Sequence, residues 1–242
     1  MIIHEVWNNF QAAGYSVTGR NHAEAGAVNQ DSIKIGKCGQ GGCFMVLADG
    51  VSSAAHAKEG SSAAVEVVSW IAEQRESEII CADPDEFRRA IVRRWKSRFK
   101  SCWNDYATTL NFIVACSGRL IAGQIGDGII AINADGKELL LAEESEFYTT
   151  ETTALCEAVR QKDFRLKVVR PVRRVSAYLA SDGIGKEISP TAIFDLGKYL
   201  EELLQKQKHE IDSELIPWIE GLDRKNGDDK TIGFLRWECQ LW

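Results

Sequence analysis

The chain has 242 residues, of which 45% are hydrophobic and 26% are charged, and its formal net charge at pH 7 is −6. A chain of this length can bury a full hydrophobic core, and we expect a single domain over residues 1–242. The acidic balance argues against nucleic acid as a main partner. No apolar run reaches the roughly 18 residues of a membrane helix, and the N-terminus does not resemble a secretion signal, so we expect a cytoplasmic protein with no membrane partner.

The first half of the chain predicts strands followed by two helices. Alternating segments and one continuous apolar run indicate the strands, and apolar residues at helical spacing indicate the helices. The second helix has Asp83 as its candidate N-cap and Pro84 at its first position, which is typical of a helix start. In chain order, the predicted elements are strands Tyr15–Arg20, Asp31–Ile35 and Cys43–Ala48, and then helices Ala57–Glu73 and Pro84–Trp103.

The second half predicts hairpins and then a second pair of helices. Strands joined by short turns, with helices arriving in pairs, favour an α+β fold in which helices cover antiparallel sheets. A parallel nucleotide-binding sheet is disfavoured, because no G-x-G-x-x-G follows the first strand. The predicted elements are strands Thr108–Ser117, Arg119–Ile125, Ile129–Asn133, Glu138–Leu141, Phe164–Val169 and Val175–Ala180, helices Thr191–Lys208 and Ser213–Glu220, and strand Thr231–Trp237.

The seven cysteines are odd in number and scattered, which indicates reduced thiols rather than a disulfide framework. Cys38 and Cys43 form the only close pair. A zinc site needs further ligands, and no second Cys or His pair is present. The glycines between the two cysteines therefore predict a hairpin turn.

Three apolar segments end in the dipeptide Asp-Gly, at Asp49, Asp127 and Asp182. A single Asp-Gly is a common turn, and we interpret Asp135-Gly136, which lacks a long apolar lead-in, in that way. Three with strongly apolar lead-ins indicate a shared function, because a carboxylate at the end of a buried strand is rigidly mounted and glycine lets the backbone turn sharply beside it.

Further aspartates lie beside predicted strands, at Asp31 before one strand and at Asp228 and Asp229 before the last. Carboxylates that converge without His or Cys make an oxygen-only site, which Mg²⁺ and Mn²⁺ prefer. Clustered carboxylates also repel one another, so a cation is their natural neutraliser.

Five motifs in order resemble the protein phosphatase 2C family over about residues 14–237. The resemblance is to its compact bacterial branch, in which Gln-Asp replaces the more usual Glu-Asp. It implies two antiparallel sheets sandwiched between pairs of helices. The motifs are Asn-Gln-Asp-Ser (29–32), Ala-Asp-Gly-Val (48–51), Thr-Thr with Ile-Gly-Asp-Gly (108–109 and 125–128), Ala-Ser-Asp-Gly-Ile (180–184) and Asp-Asp-Lys-Thr (228–231).

The resemblance implies a metal-dependent phosphatase that acts on phosphoserine or phosphothreonine in a protein substrate. Two Mn²⁺ or Mg²⁺ ions would be bridged by Asp49, with the Gly50 carbonyl on one of them. Asp182 and Asp228 would ligate the first ion, and Asp31 would help hold the pair through water. Asp127 matches a position that in some members binds a weaker third ion. A hydroxide bridging the two ions would attack phosphorus directly, with Asp31 and Asp49 among the catalytic residues.

The chain departs from the family at the substrate phosphate. Most members carry an arginine a few residues before the Glu-Asp pair, and none stands there in this sequence. The compact bacterial branch tends to have a histidine, so His22 is the first candidate for a catalytic phosphate contact and Arg20 is the second. A lone histidine is equally typical of an ordinary surface position. Val51 stands where many members have a histidine.

Two other functions stay open. The chain could be a catalytically weak relative that binds a phosphoprotein, or a structural calcium protein, although the D-x-[DN]-x-[DN]-G calcium loop is missing. The basic residues of 84–103 predict a solvated helix face in preference to a docking surface for an acidic phosphoprotein. We expect a monomer.

Overall fold

The computed structural model describes residues 1–39, 41–74, 83–142, 153–222 and 226–239. In these residues two antiparallel sheets lie face to face, which confirms the predicted fold class. The strands are β1 Ile2–Trp7, β2 Phe10–Val17, β3 Ser32–Cys38, β4 Gly42–Ala48, β5 Leu110–Cys116, β6 Arg119–Ile125, β7 Ile129–Ala134, β8 Lys137–Ala142, β9 Arg165–Val169, β10 Arg174–Ala180 and β11 Lys230–Glu238. One sheet has the order β1-β2-β11-β10-β7-β8, and the other has the order β3-β4-β5-β6-β9.

Helices cover the outer faces of both sheets. The α-helices of the described residues are α1 Arg20–Glu24, α2 Ala57–Gln74, α3 Pro84–Lys96, α4 Asp182–Gly185, α5 Ile193–Leu203 and α6 Lys208–Leu222. Short 3-10 turns lie at Trp103–Tyr106, Gln161–Asp163 and Pro190–Ala192. None of the helices in the described ranges is long and apolar enough to cross a membrane.

Three apolar layers hold the sandwich together. The inner layer lies between the sheets and contains Leu47 and Leu179, one from each sheet. Trp95 of α3 packs against the outer face of the five-stranded sheet, and Ile219 of α6 packs against Tyr178 on the outer face of the six-stranded sheet. Burying a large apolar side chain contributes about 1.5–3 kcal/mol, so these layers fix the strand ends in place.

Helix α3 begins where the sequence predicts but ends earlier. The Asp83 carboxylate accepts a hydrogen bond from the backbone N–H of Asp85 at 2.8 Å, which confirms the predicted N-cap. The predicted end at Trp103 is wrong, since the helix stops at Lys96. Cys102 adopts the left-handed conformation with φ of 59°, which a continuing helix does not allow.

Several basic side chains of α3 and of the turn after it make contacts within the chain. Arg88 is buried and donates to the carbonyl of Gln161 at 3.1 Å. The Arg94 guanidinium lies 4.2 Å from the ring centroid of Trp70, and Arg98 is hydrogen-bonded to Glu66. These three arginines therefore bind groups of the same domain and help to hold α3 in place.

Other predicted boundaries are corrected, and three elements were missed. The strand predicted over Tyr15–Arg20 is β2, which ends at Val17 because Arg20 begins α1. Its neighbour β1, and the short helices α1 and α4, were not predicted. The helix predicted over Thr191–Lys208 is α5, which follows a 3-10 turn at Pro190–Ala192 and ends at Leu203. Helix α6 begins at Lys208 rather than at Ser213.

Cys38 and Cys43 lie on paired strands, and Cys38 is opposite Gly42 in the β3–β4 register. This confirms the predicted hairpin. Both thiols are fully buried, and burial raises the pKa of Cys43 well above its usual value. A protonated, buried thiol is a packing group and not a nucleophile.

Candidate metal centre

Two of the predicted site aspartates leave the five-stranded sheet side by side. Ser32 pairs with Ala48 in the β3–β4 register, so Asp31, before β3, and Asp49, after β4, meet at one end of the sheet. The two carboxyl groups lie close enough for the charge of Asp31 to raise the pKa of Asp49. The backbone N–H of Asp49 also donates to Thr109 Oγ1 at 3.0 Å, which fixes this strand end.

The six-stranded sheet brings its aspartates to the same edge of the sandwich. Ala180 pairs with Ile232, so the end of β10, where Asp182 begins α4, lies beside the start of β11, which Asp228 precedes. Asp182 lies close enough to Asp49, across the two sheets, for its negative charge to raise the pKa of Asp49. Asp31, Asp49, Asp182 and Asp228 therefore form one acidic cluster, as the sequence predicts.

Burial and the charges of neighbouring carboxylates raise the pKa of Asp31, Asp49 and Asp228. Burial raises the pKa of Asp31 to about 7, against hydrogen bonds from Thr231 and Ser181 that favour its charged form. Burial and then the charges of Asp31 and Asp182 raise the pKa of Asp49 well above its usual range. Burial and Asp182 likewise raise the pKa of Asp228. The cluster can be fully ionised only beside added positive charge.

The cluster fits divalent cations. The donors are carboxylate oxygens, which Mg²⁺ and Mn²⁺ prefer. Two buried oxygens, Asp31 Oδ1 and Asp182 Oδ1, have no hydrogen-bond partner among the described residues, and a buried carboxylate oxygen without a partner is costly. No three acidic, histidine or cysteine side chains of the described residues surround one point ready for an ion.

Gly50 follows Asp49 where the chain meets the start of α2. A Cβ on Gly50 would lie 2.5 Å from the carbonyl oxygen of Ala57, so no larger residue fits there. The glycine therefore lets the strand end and the helix start pack directly against each other.

The structure adds a cation that the sequence analysis missed. Lys186 follows Asp182 by one helical turn, and its ammonium group is hydrogen-bonded to Asp182 Oδ2. The same nitrogen lies 3.4 Å from Asp127 Oδ2. Burial opposes the charge, but the hydrogen bond and charge of Asp182, together with Asp127, raise the pKa of Lys186 above its ordinary value. The signal for this contact was the i, i+4 spacing of the two residues.

A second missed lysine supports the Asp31 segment. Lys58 on α2 donates to the Asp31 carbonyl at 2.6 Å and to Ser32 Oγ at 3.0 Å. Burial lowers the pKa of Lys58. This lysine lies outside all five motifs of the sequence analysis, so only the fold reveals its contact with Asp31.

His22 lies beside the aspartate pair that precedes β11. Its Nδ1 is 2.8 Å from Asp229 Oδ2. Asp229 is buried and also accepts hydrogen bonds from the backbone N–H of Gly19 at 2.8 Å and of Gln30 at 2.6 Å. Asp229 therefore anchors the segment that carries His22, a role that the sequence did not indicate. Arg20 is exposed on the same short helix.

Asp135 behaves as the plain turn that the sequence predicts. It has φ of 52° and accepts hydrogen bonds from the backbone N–H groups of Arg173 at 3.0 Å and Arg174 at 2.7 Å. Asp127 and Asp135 flank opposite ends of β7, so Asp135 lies away from the acidic cluster.

Comparison with known proteins places the chain in a family. The family model described as "Protein phosphatase 2C" matches residues 18–220. The chain belongs to the protein phosphatase 2C family. A search of curated protein sequences gave no significant match.

Solved structures show the same fold at low sequence identity. RsbX in complex with magnesium has a TM-score of 0.65 and 15% identity, covering 98% of this chain and 100% of that one. The S. agalactiae serine/threonine phosphatase has a TM-score of 0.66 and 17% identity, covering 93% and 98%. The catalytic domain of the serine/threonine phosphatase PstP, in complex with two manganese ions, has a TM-score of 0.63 and 20% identity, covering 94% and 97%. The likeness confirms the predicted two-sheet fold.

Proposed function

We propose that the chain is a protein serine/threonine phosphatase that depends on Mn²⁺ or Mg²⁺, formed as one catalytic domain over residues 1–242. The observation that carries the proposal is the buried carboxylate cluster at the edge of the sandwich, with oxygens of Asp31 and Asp182 left without partners in the described residues. Family membership supports the phosphatase class, and two of the structural neighbours contain magnesium or manganese.

Two ions account for the arrangement of the cluster. Asp49 would bridge them, because it lies between Asp31 and Asp182 and contacts both. The Gly50 carbonyl, Asp182 and Asp228 would complete the protein ligands, and Asp31 would act through water. When bound, two such ions supply an acidified water for direct in-line attack on phosphorus, without a phosphoenzyme.

The substrate phosphate would be held by His22. Because Nδ1 of its ring is engaged by Asp229, Nε2 is the ring nitrogen left to donate to a phosphate oxygen. A carboxylate on one nitrogen fixes the ring orientation, so that Nε2 can face an anion. Arg20, on the same helix, offers a positive charge to the phosphoprotein.

Turnover with and without metal tests the proposal. The purified chain should hydrolyse p-nitrophenyl phosphate and a phosphothreonine peptide with Mn²⁺, lose that activity in EDTA and regain it when Mn²⁺ is restored. Full activity in EDTA would exclude the metal mechanism. Binding of the phosphopeptide without turnover at any Mn²⁺ concentration would identify a phosphoprotein-binding relative instead.

A further inference from the structure

Lys186 joins two Asp-Gly motifs through a single ammonium group. Its nitrogen is hydrogen-bonded to Asp182 Oδ2 at the start of α4 and lies 3.4 Å from Asp127 Oδ2 in the turn between β6 and β7. The Asp127 and Asp182 side chains are 19% and 11% exposed. The ammonium group therefore neutralises charge at two largely buried carboxylates.

The position of this ammonium group bears on the number of metal ions. Carboxylates from two loops that face one point attract a hard cation, and Asp127 is the residue at which the family resemblance implies a third, weaker ion. A lysine ammonium is a compact positive charge with the same preference for oxygen. An ion cannot enter between Asp127 and Asp182 while Lys186 occupies that place.

We infer that Lys186 is a built-in cation that takes the place of the third ion, so that the chain binds two divalent ions and no more. The inference rests on the proposed metal-dependent function. Asp182 Oδ1 is buried and has no hydrogen-bond partner in the described residues, so this oxygen is free to ligate a catalytic ion while Oδ2 stays with Lys186. One carboxylate thus serves both kinds of cation.

Counting bound Mn²⁺ tests the inference without using activity. Free Mn²⁺ is measured by electron paramagnetic resonance during titration into the low millimolar range, for the wild type, Lys186→Met and Lys186→Arg. Lys186→Met removes the charge and keeps the chain length, and the side chain is 61% exposed, so folding is expected to survive. We expect two ions for the wild type and for Lys186→Arg, and a third, weaker ion for Lys186→Met.

A double variant locates the added ion. Lys186→Met combined with Asp127→Asn should return the count to two, since the new site loses one of its two carboxylates. Circular dichroism melts check that each variant is folded, and Lys186→Gln replaces Lys186→Met if the latter is not.

The outcomes separate this inference from the proposed function. Three ions in the wild type, or two in folded Lys186→Met and Lys186→Gln, would overturn the inference and leave the two-ion centre standing. No bound Mn²⁺ in the wild type would overturn both.

Discussion

Ser181 Oγ lies 2.9 Å from Asp31 Oδ2 and donates a hydrogen bond to it. Ser181 follows β10 in one sheet and Asp31 precedes β3 in the other, so this contact connects the two sheets at the acidic cluster. The serine hydroxyl also accepts from the backbone N–H of Thr231 at 3.0 Å. The cluster is therefore part of the packing of the sandwich as well as a ligand set.

Replacing Ser181 by Ala should destabilise the protein. The change removes a hydrogen bond to the buried Asp31 carboxyl group and leaves the Thr231 N–H without its acceptor, at a cost of about 1–3 kcal/mol in the free energy of unfolding. Urea unfolding at neutral pH measures it. Ser189→Ala, at an exposed serine, is the matched control and should change the free energy little. Equal effects of the two changes would show that the contact between Ser181 and Asp31 contributes nothing to the free energy of unfolding.

The metal-free protein should lose stability as the pH rises from about 4 to about 7. Asp31 has a folded pKa of about 7, above the ordinary value of 3.8, so the folded state holds a proton that the unfolded state has released. Because the folded state binds more protons in this window, the free energy of unfolding falls with pH. Thermal melts in chelator at pH 5 and pH 7 measure this.

Saturating Mn²⁺ provides the comparison for the pH experiment. An ion offsets the repulsion among Asp31, Asp49 and Asp182, so it should raise the melting temperature at pH 7 by several degrees. An ion that binds only the native state adds roughly 2.7 kcal/mol to the free energy of unfolding when its free concentration is a hundredfold above the dissociation constant. A melting temperature in chelator that is higher at pH 7 than at pH 5 would contradict the raised pKa of Asp31 in the folded state.

Asp49→Asn should remove most of the activity, because Asp49 contacts both Asp31 and Asp182 and would serve both ions. We expect kcat to fall by about 10³-fold or more, which corresponds to about 4 kcal/mol. Asp135→Asn supplies the control within the same dipeptide type, since asparagine tolerates the left-handed turn. Steady-state kinetics at saturating Mn²⁺ compare the two. Similar losses would mean that the Asp-Gly pairs were sorted wrongly.

His22→Ala should lower kcat/KM for the phosphorylated substrate and leave Mn²⁺ affinity almost unchanged. Loss of one charge-assisted hydrogen bond costs about 1.5–3 kcal/mol in kcat/KM. Asp229 keeps its backbone hydrogen bonds from Gly19 and Gln30 in this variant, so the fold around it should persist. Arg20→Ala should lower kcat/KM by a smaller factor than His22→Ala does. A collapse of kcat/KM in Arg20→Ala with normal kinetics in His22→Ala would reverse the two roles.

The acidic cluster could be predicted from the sequence because each aspartate stands beside a strongly apolar strand. Strand ends are local features of a sequence, and they determine where Asp31, Asp49 and Asp182 lie. What the sequence could not provide was the set of long-range contacts between loops. The i, i+4 spacing marks the contact of Lys186 with Asp182, but its contact with Asp127 and the contacts of Asp229 with Gly19, His22 and Gln30 join distant parts of the chain, and no local pattern marks such pairs.

For the fold as well, the elements that could be predicted are those with a local sequence signal. The hairpins and the α3 cap follow from short turn and cap signals, and the structure confirms them. The edge strand β1 is held by pairing with β2 and not by its own alternation. Helix α3 ends at Lys96, well before the left-handed Cys102, and no glycine or proline marks that end in the sequence.

Strand β11 lies in the middle of its sheet, between β2 and β10, although it comes from the last tenth of the sequence. Asp228 and Asp229 directly precede it, and Asp229 holds Gly19, His22 and Gln30 near the other end of the chain. During synthesis on the ribosome, the earlier motifs emerge long before the residues that join them. A nascent chain therefore cannot complete the metal centre or orient His22 until its last strand has left the exit tunnel and inserted between two strands that are already made.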